Sequence, residues 1–467
     1  LHFKESDNVL PLKCLLIVFI MTDVEIEILD PVHSKILKGR ELLKPCLSYS
    51  DYFYRQSQYR KIRKEYKKSL IGKGGIFLTG FINRVREYCD RQNISHSVDE
   101  TYADHLSPER EPHLSGKNLK EGKWAFQWDL IGAAINYQRG VIKSATASGK
   151  TIQMLGVLSC YPSARVLFLS NTHVPISQFS KEVKAHRADL PKKIHSTTIQ
   201  KFYRKKPDSY IDEFDIILID ECHEGMSSLN GMYARVLTNC MAPMRLGFTA
   251  TLPNSEKDRI ILEGLLGPVL EEYTIQEGVE DGVLSKPEII ISKLPTNHDV
   301  KKLRTYRDVY KTGVVENKAL NRKVITDAIV DIDRGKTVLI LVLEIAHGEN
   351  IVEMAKSIYN IDFVFVQGST GADIRMEIKD AMEDKSIKCV VATAVFRKAL
   401  NIPSLDTVIN ACGGKSEVMT LQAIGRGLRS TDDKSYVTIR DYFNPSHYYL
   451  ISHFGHRLCL YFDEEWL

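Results

Sequence analysis

The run Gly140-Val-Ile-Lys-Ser-Ala-Thr-Ala-Ser-Gly-Lys-Thr151, continued by Ile152-Gln-Met-Leu-Gly-Val-Leu158, governs how the rest of the chain is read. An aliphatic stretch, a loop of small residues and an apolar run predict a strand, a tight turn and a helix. At such a junction backbone N–H groups and the positive end of the helix dipole converge on one point, which suits a phosphate. Lys150 is placed to reach the β and γ phosphates of a nucleotide, and Thr151 to offer its hydroxyl to Mg²⁺. Ala147, Ser148 and Gly149 are small enough to let phosphate approach the backbone. The strict form of this loop has glycine where Ser144 stands and often where Ala147 stands, so the motif needs support from elsewhere.

Seventy residues on, Phe214-Asp-Ile-Ile-Leu-Ile-Asp-Glu-Cys-His223 supplies it. A strand apolar on both faces is buried in a parallel sheet, and its last residues emerge at the edge where a phosphate loop also lies. Asp220 is expected to hold Mg²⁺ through its water shell, and Glu221 to orient and deprotonate an attacking water. Similar runs recur as ARVLFLSN and RLGFTAT. After the charged, turn-rich segment 271–288 they recur again as TVLILVL, FVFVQGS, KCVVATAV, TVINACG and YVTIRDYF. The expected organisation is an upstream segment 1–20, a small domain 21–110, and two α/β domains over 111–285 and 286–467.

Composition narrows the class. The chain has 467 residues, 43% hydrophobic and 26% charged, which excludes collagen-like, disordered and multi-span membrane proteins. Nine scattered cysteines with no CxxC pair suit free thiols in a reducing compartment, so the expected location is cytoplasmic. The apolar run Cys14–Met21 is far short of the ~20 residues needed to span a bilayer. Met21 reads as the natural start, with a signal peptide as the other reading.

A net charge of +4 says little, but its distribution does. Residues 55–73 hold eight Lys and Arg, among them Arg60, Lys61, Arg63, Lys64, Lys67 and Lys68, against the single acid Glu65. Tyr52, Phe53, Tyr54, Tyr59 and Tyr66 are interleaved, which offers rings to bases and cations to phosphates. A solvated helical face with aromatic anchors is the competing explanation.

Taken with Thr249-Ala-Thr251 and Gln422-Ala-Ile-Gly-Arg-Gly-Leu-Arg429, the GKT and DECH motifs resemble, in order and spacing, those of superfamily 2 helicases of the DExH kind. The likeness covers about residues 120–460. It implies an α/β fold of two RecA-like lobes with parallel sheets, plus a small α+β amino-terminal domain, with ATP between the lobes. It further implies that Gln127 reads adenine, that His223, Thr249, Thr251 and Gln422 couple hydrolysis to lobe movement, and that Arg426 and Arg429 act as arginine fingers. Ser170, Thr198 and Thr393 fall where the family contacts the nucleic-acid backbone. Thr197, His347-Gly348 and the stretch to Ile402 fall there as well, although Ala399 and Asn401 depart from the usual Gly-x-Asp.

Within the superfamily, residues 80–100 are similar to the amino-terminal module of phage UvsW-type branched-DNA helicases, an amphipathic helix followed by a short strand. The expected activity is ATP- and Mg²⁺-dependent unwinding or branch migration of forked or branched DNA, in the host cytoplasm if phage-encoded. An RNA helicase of the DExH kind and a non-motor nucleic-acid-binding or annealing protein are the alternatives. The carboxy-terminal aromatic segment 447–465 is expected to be a helix packed on the second lobe.

Overall fold

The computed structural model describes residues 22–56, 61–101, 105–393, 405–414, 436–464 and 466–467. Backbone contacts divide the chain into two units, Leu1–Ala103 and Asp104–Leu467.

In the first unit, alternation does the folding. Val24–Ile28 buries every second residue, and it pairs antiparallel with His33–Lys38 and parallel with His96–Asp99. Ile76–Leu78 completes a four-stranded sheet beside His33–Lys38. The helix Ile82–Arg91 turns Ile82, Val85 and Cys89 inward, an i, i+3, i+7 stripe that closes this small core. The helix and short strand expected over residues 80–100 are therefore present. The basic segment is not a helical face: Ser48–Gln56 and Lys61–Ser69 form an antiparallel hairpin of their own, with Tyr52 opposite Glu65 and Asp51 opposite Tyr66. Tyr49 is buried at its base, whereas Lys64 through Ser69 are exposed on both faces of the strand.

The second unit holds two six-stranded sheets in which every adjacent pair is parallel. The first runs Val269–Tyr273, Arg139–Ser144, Met244–Thr249, Ile216–Asp220, Arg165–Ser170, Lys193–Thr198 across the sheet. The second runs Lys286–Lys293, Tyr436–Phe443, Thr407–Asn410, Val338–Val342, Cys389–Thr393, Val364–Val366. Central strands are apolar without alternation because helices cover both faces. Ile216, Ile217, Leu218 and Ile219 are all 0% exposed, and truncating any one of them to alanine costs roughly 2–5 kcal/mol.

The carboxy-terminal helix Tyr448–Asp463 packs on the second sheet, as its aromatic spacing suggested. It is held by a buried charge pair: Arg457 Nε and Nη2 donate to Asp441 at 2.7 and 2.9 Å, and Tyr461 Oη donates to the same carboxylate at 2.8 Å.

Candidate nucleotide site and nucleic-acid contacts

The strand Arg139–Ser144 ends in a loop that enters the helix Lys150–Ser159. Two loop residues take the left-handed backbone, Ala147 with φ +71° and Gly149 with φ +85°. Gly149 has a second reason to lack a side chain, since a Cβ there would lie 2.6 Å from the Gln127 amide nitrogen. Gln127 Nε2 donates to the Ser148 carbonyl at 3.0 Å, so this buried glutamine braces the loop.

Ser144, where the strict loop has glycine, points inward. Its hydroxyl lies 2.5 Å from Ser148 Oγ and accepts from Gln153 Nε2 at 2.9 Å, while Ser148 Oγ donates to the Ala145 carbonyl at 2.7 Å. The departure from the strict motif is thus a set of internal struts. Gln153 is a member that the sequence reading passed over; the only sign of it was a polar residue in an otherwise apolar helix run. Lys150 Nζ lies over the Ser144 and Ala145 carbonyls, at 3.2 and 3.4 Å.

Asp220 ends the central strand Ile216–Asp220 and Glu221 follows it, on the same carboxyl edge of the sheet as the phosphate loop, with the strand Met244–Thr249 between the two. Burial and the adjacent Glu221 carboxylate push the Asp220 carboxyl well above the usual carboxylate range, and Lys150 works in the other direction. Glu221 has φ +49°, a strained value for a residue with a Cβ.

From Glu221 a hydrogen-bonded path leads on. Its Oε2 accepts from Thr249 Oγ1 at 3.5 Å and lies 3.5 Å from His223 Nδ1. His223 Nδ1 meets Thr249 Oγ1 at 2.7 Å, and Thr249 Oγ1 also reaches the Thr251 carbonyl at 2.8 Å and accepts from the Thr251 amide at 3.2 Å. Between them, Gly247 leaves space for the buried Cys222 side chain: a Cβ there would lie 2.7 Å from Cys222 Sγ. Two motifs 26 residues apart are joined in one network.

The expected backbone contacts look different in three dimensions. Ser170, Thr198 and Thr393 are 2%, 6% and 4% exposed, so their hydroxyls offer little to a polyanion as they stand. Thr198 Oγ1 instead caps the short helix Ile199–Phe202 by accepting from Lys201 N at 3.4 Å. His347 is fully buried with Nε2 2.9 Å from Asn321 Oδ1, and Gly348 is pressed against the Phe365 ring; both serve packing. At Ser170-Asn171 the polar work is done by Asn171, whose amide donates to the Glu224 carbonyl and carboxylate at 3.1 Å each. Gln422, Arg426, Arg429, Arg60, Ala399 and Asn401 lie outside the described residues, as do the side chains of Lys61 and Arg63.

A phosphate loop, a strand-end acid pair and a second parallel α/β lobe define a two-lobed ATP hydrolase of the helicase type. Comparison with known proteins places it more narrowly. The family "Type III restriction enzyme, res subunit" matches residues 118–254, and "Helicase conserved C-terminal domain" matches residues 321–431. The chain belongs to the superfamily 2 helicases and is related to the UvsW type. It is similar to the ATP-dependent DNA helicase uvsW of Enterobacteria phage T4, 22% identical over 398 residues that cover 78% of each chain. It is also similar to putative helicase 22 of Sulfolobus islandicus filamentous virus, 23% identical over 67% of this chain and 60% of that one. Among solved structures, the DUF1998 helicase MrfA bound to DNA shares the fold with a TM-score of 0.55 at 16% identity, over 76% of this chain and 56% of that one.

Proposed function

We propose that this chain is an ATP- and Mg²⁺-dependent DNA translocase that unwinds forks or drives branch migration in replication, recombination or repair. The observation that carries the reading is the path from Glu221 through Thr249 to Thr251 and His223. A protein that only bound nucleotide would have no use for a water-activating carboxylate wired to a second loop. In a motor, the residue that meets the attacking water must report its state to the elements that move.

Each residue then has a task. Lys150 leaves its two carbonyls to meet the β and γ phosphates, and the helix start at Gly149 and Lys150 directs N–H groups at them. Gln127 recognises adenine from its seat beside the loop. Glu221 positions and deprotonates the attacking water, and His223, Thr249 and Thr251 relay the change of charge, with Gln422 as their partner on the second lobe. Arg426 and Arg429 stabilise charge on the γ-phosphate from that lobe.

The donor set suits a hard divalent ion: Asp220 is a buried carboxyl crowded by the Glu221 carboxylate, a surrounding that a cation would relieve, and Thr151 offers its hydroxyl from the first turn of the helix that the phosphate loop enters. Mg²⁺ held by Thr151 and Asp220 would offset charge on the β and γ phosphates.

DNA is favoured over RNA because the phage T4 relative is a DNA helicase. The hairpin supplies the grip, a two-stranded ribbon of a width that the major groove of DNA admits, with Lys64, Lys67 and Lys68 exposed along it. ATP turnover measured with forked, four-way and linear DNA and with RNA of equal length tests the reading. Stimulation should be greatest with branched DNA. Equal stimulation by RNA would remove the DNA assignment, and absence of turnover with every polymer would remove the motor.

A further inference from the structure

The segment His298–Lys311 was not part of any motif, yet it carries five lysines and arginines against Asp308 alone between residues 301 and 311. Lys301, Lys302, Arg304, Arg307 and Lys311 are all exposed. Two are engaged: Lys302 pairs with Asp299 at 3.2 Å and Lys311 with Glu316 at 3.5 Å. The one acid in the run is turned to its own helix start, where Thr305 Oγ1 donates to Asp308 Oδ2 at 2.6 Å. Lys301, Arg304 and Arg307 remain facing solvent around Tyr306, itself 38% exposed.

Tyr306 belongs to an array of rings contributed by both this segment and the carboxy-terminal helix. Its ring lies 5.6 Å edge-on from Tyr449 and 5.0 Å from His453, and Tyr449 in turn lies 4.1 Å from Tyr448, which is 61% exposed. The array stands at the carboxyl edge of the second sheet. Tyr310, one turn below Tyr306, donates its hydroxyl to the Cys412 carbonyl at 2.8 Å, just past the strand Thr407–Asn410.

The platform is also built rigidly. Lys311–Val315 is a π-turn, which frees carbonyls, and four asparagines take them up. Asn317 and Asn444 donate to the Gly313 carbonyl at 2.9 Å, and Asn321 and Asn350 to the Val315 carbonyl at 3.2 and 3.0 Å. A backbone braced in this way just after Tyr306 and Tyr310 needs little reorganisation when a ligand arrives.

We propose that Tyr306 and Tyr448, flanked by Lys301, Arg304 and Arg307, form a stacking platform on the second lobe for unpaired bases of single-stranded DNA. The inference rests on the translocase reading and adds to it a contact that takes base faces rather than backbone. Single strands are singled out because duplex bases are already stacked and show only their edges. A protein partner is the poorer match, because cations surround the exposed rings.

The test uses the full chain and two labelled probes, an oligothymidylate and an abasic oligonucleotide of the same length. Tyr306→Ala and Tyr448→Ala should each weaken oligothymidylate binding roughly tenfold and leave the abasic probe nearly unchanged, while the Phe substitutions retain both. Replacing Lys301, Arg304 and Arg307 with alanine should weaken both probes alike and lower the salt slope. Tyr306 is 38% exposed and Tyr448 61%, so Tyr448 gives the cleaner result. An unchanged ratio between the two probes in Tyr448→Ala overturns the proposal. DNA-stimulated ATPase of the unaltered chain is read alongside: its absence defeats the translocase reading, whereas stimulation with an unchanged probe ratio defeats the platform alone.

Discussion

The phosphate loop and the basic hairpin both depend on β-strands, and they treat their polar groups in opposite ways. Around the loop, Ser144, Ser148, Gln153 and Gln127 are buried and bonded to one another or to backbone carbonyls. Along Lys61–Ser69, the residues from Lys64 onward face solvent on both sides of a ribbon whose only strand partner among the described residues is Ser48–Gln56. Phosphoryl transfer depends on dipoles fixed before the substrate arrives, because reorganising them costs part of what they stabilise. Gripping a polyanion depends on released counterions, which asks for exposed charge and little geometric precision.

That contrast is broken most severely at Lys150. Lys150→Ala should lower ATP turnover by a factor on the order of 10³ or more, with DNA affinity in the absence of nucleotide unchanged. A parallel loss of both would mean that the two regions act as one site. Glu221→Gln sharpens the same point from the other side. It keeps the shape and the hydrogen bond from Thr249 but not the basicity, so turnover should fall roughly 10²–10⁴-fold while ATP still binds. If nucleotide affinity collapses as well, Glu221 organises the loop rather than the water.

Neutralising Lys61, Arg63, Lys64, Lys67 and Lys68 together is the corresponding cut in the hairpin. Each cation that meets a phosphate contributes about 0.9 to the slope of log affinity against log salt, so the slope should flatten by several units and binding weaken by roughly 10- to 1000-fold at low salt. Basal ATPase, measured without DNA, should not change. A slope that stays the same would make the hairpin a solubilising surface.

What was legible in the sequence follows the same division. Uninterrupted apolar runs such as Ile216–Ile219 and Val338–Val342 announce parallel sheets, because only a strand covered on both faces can do without polar residues. Asp220 and Glu221 could be placed because they terminate such a run. The hairpin was less legible: charged residues on both faces erase the two-residue period, so a ribbon standing in solvent carries no strand signal. The inward turn of Ser170, Thr198 and Thr393 was hidden for another reason. A hydroxyl at a strand end reads the same whether it caps a helix, as Thr198 does, or meets a phosphate. The struts at Ser144 and Gln153 depend on loop geometry that spacing alone does not encode.

The smallest test turns on one methyl group. Ala147 holds φ +71°, a conformation that crowds Cβ against the backbone and costs an alanine about 1 kcal/mol or somewhat more. Ala147→Gly removes that strain and adds freedom to the unfolded chain, which offsets part of the gain, so the net change should lie between zero and about 1 kcal/mol of added stability. The same kind of substitution in the hairpin has the opposite sign. Lys67 is an ordinary strand residue opposite Ser50, and Lys67→Gly should cost roughly 0.5–1 kcal/mol. Thermal melting of the first variant and amide hydrogen exchange along Ser48–Gln56 in the second read the two effects separately. Destabilisation by Ala147→Gly comparable to that of Lys67→Gly would mean the loop is not strained at Ala147, and the serine struts alone would then account for its shape.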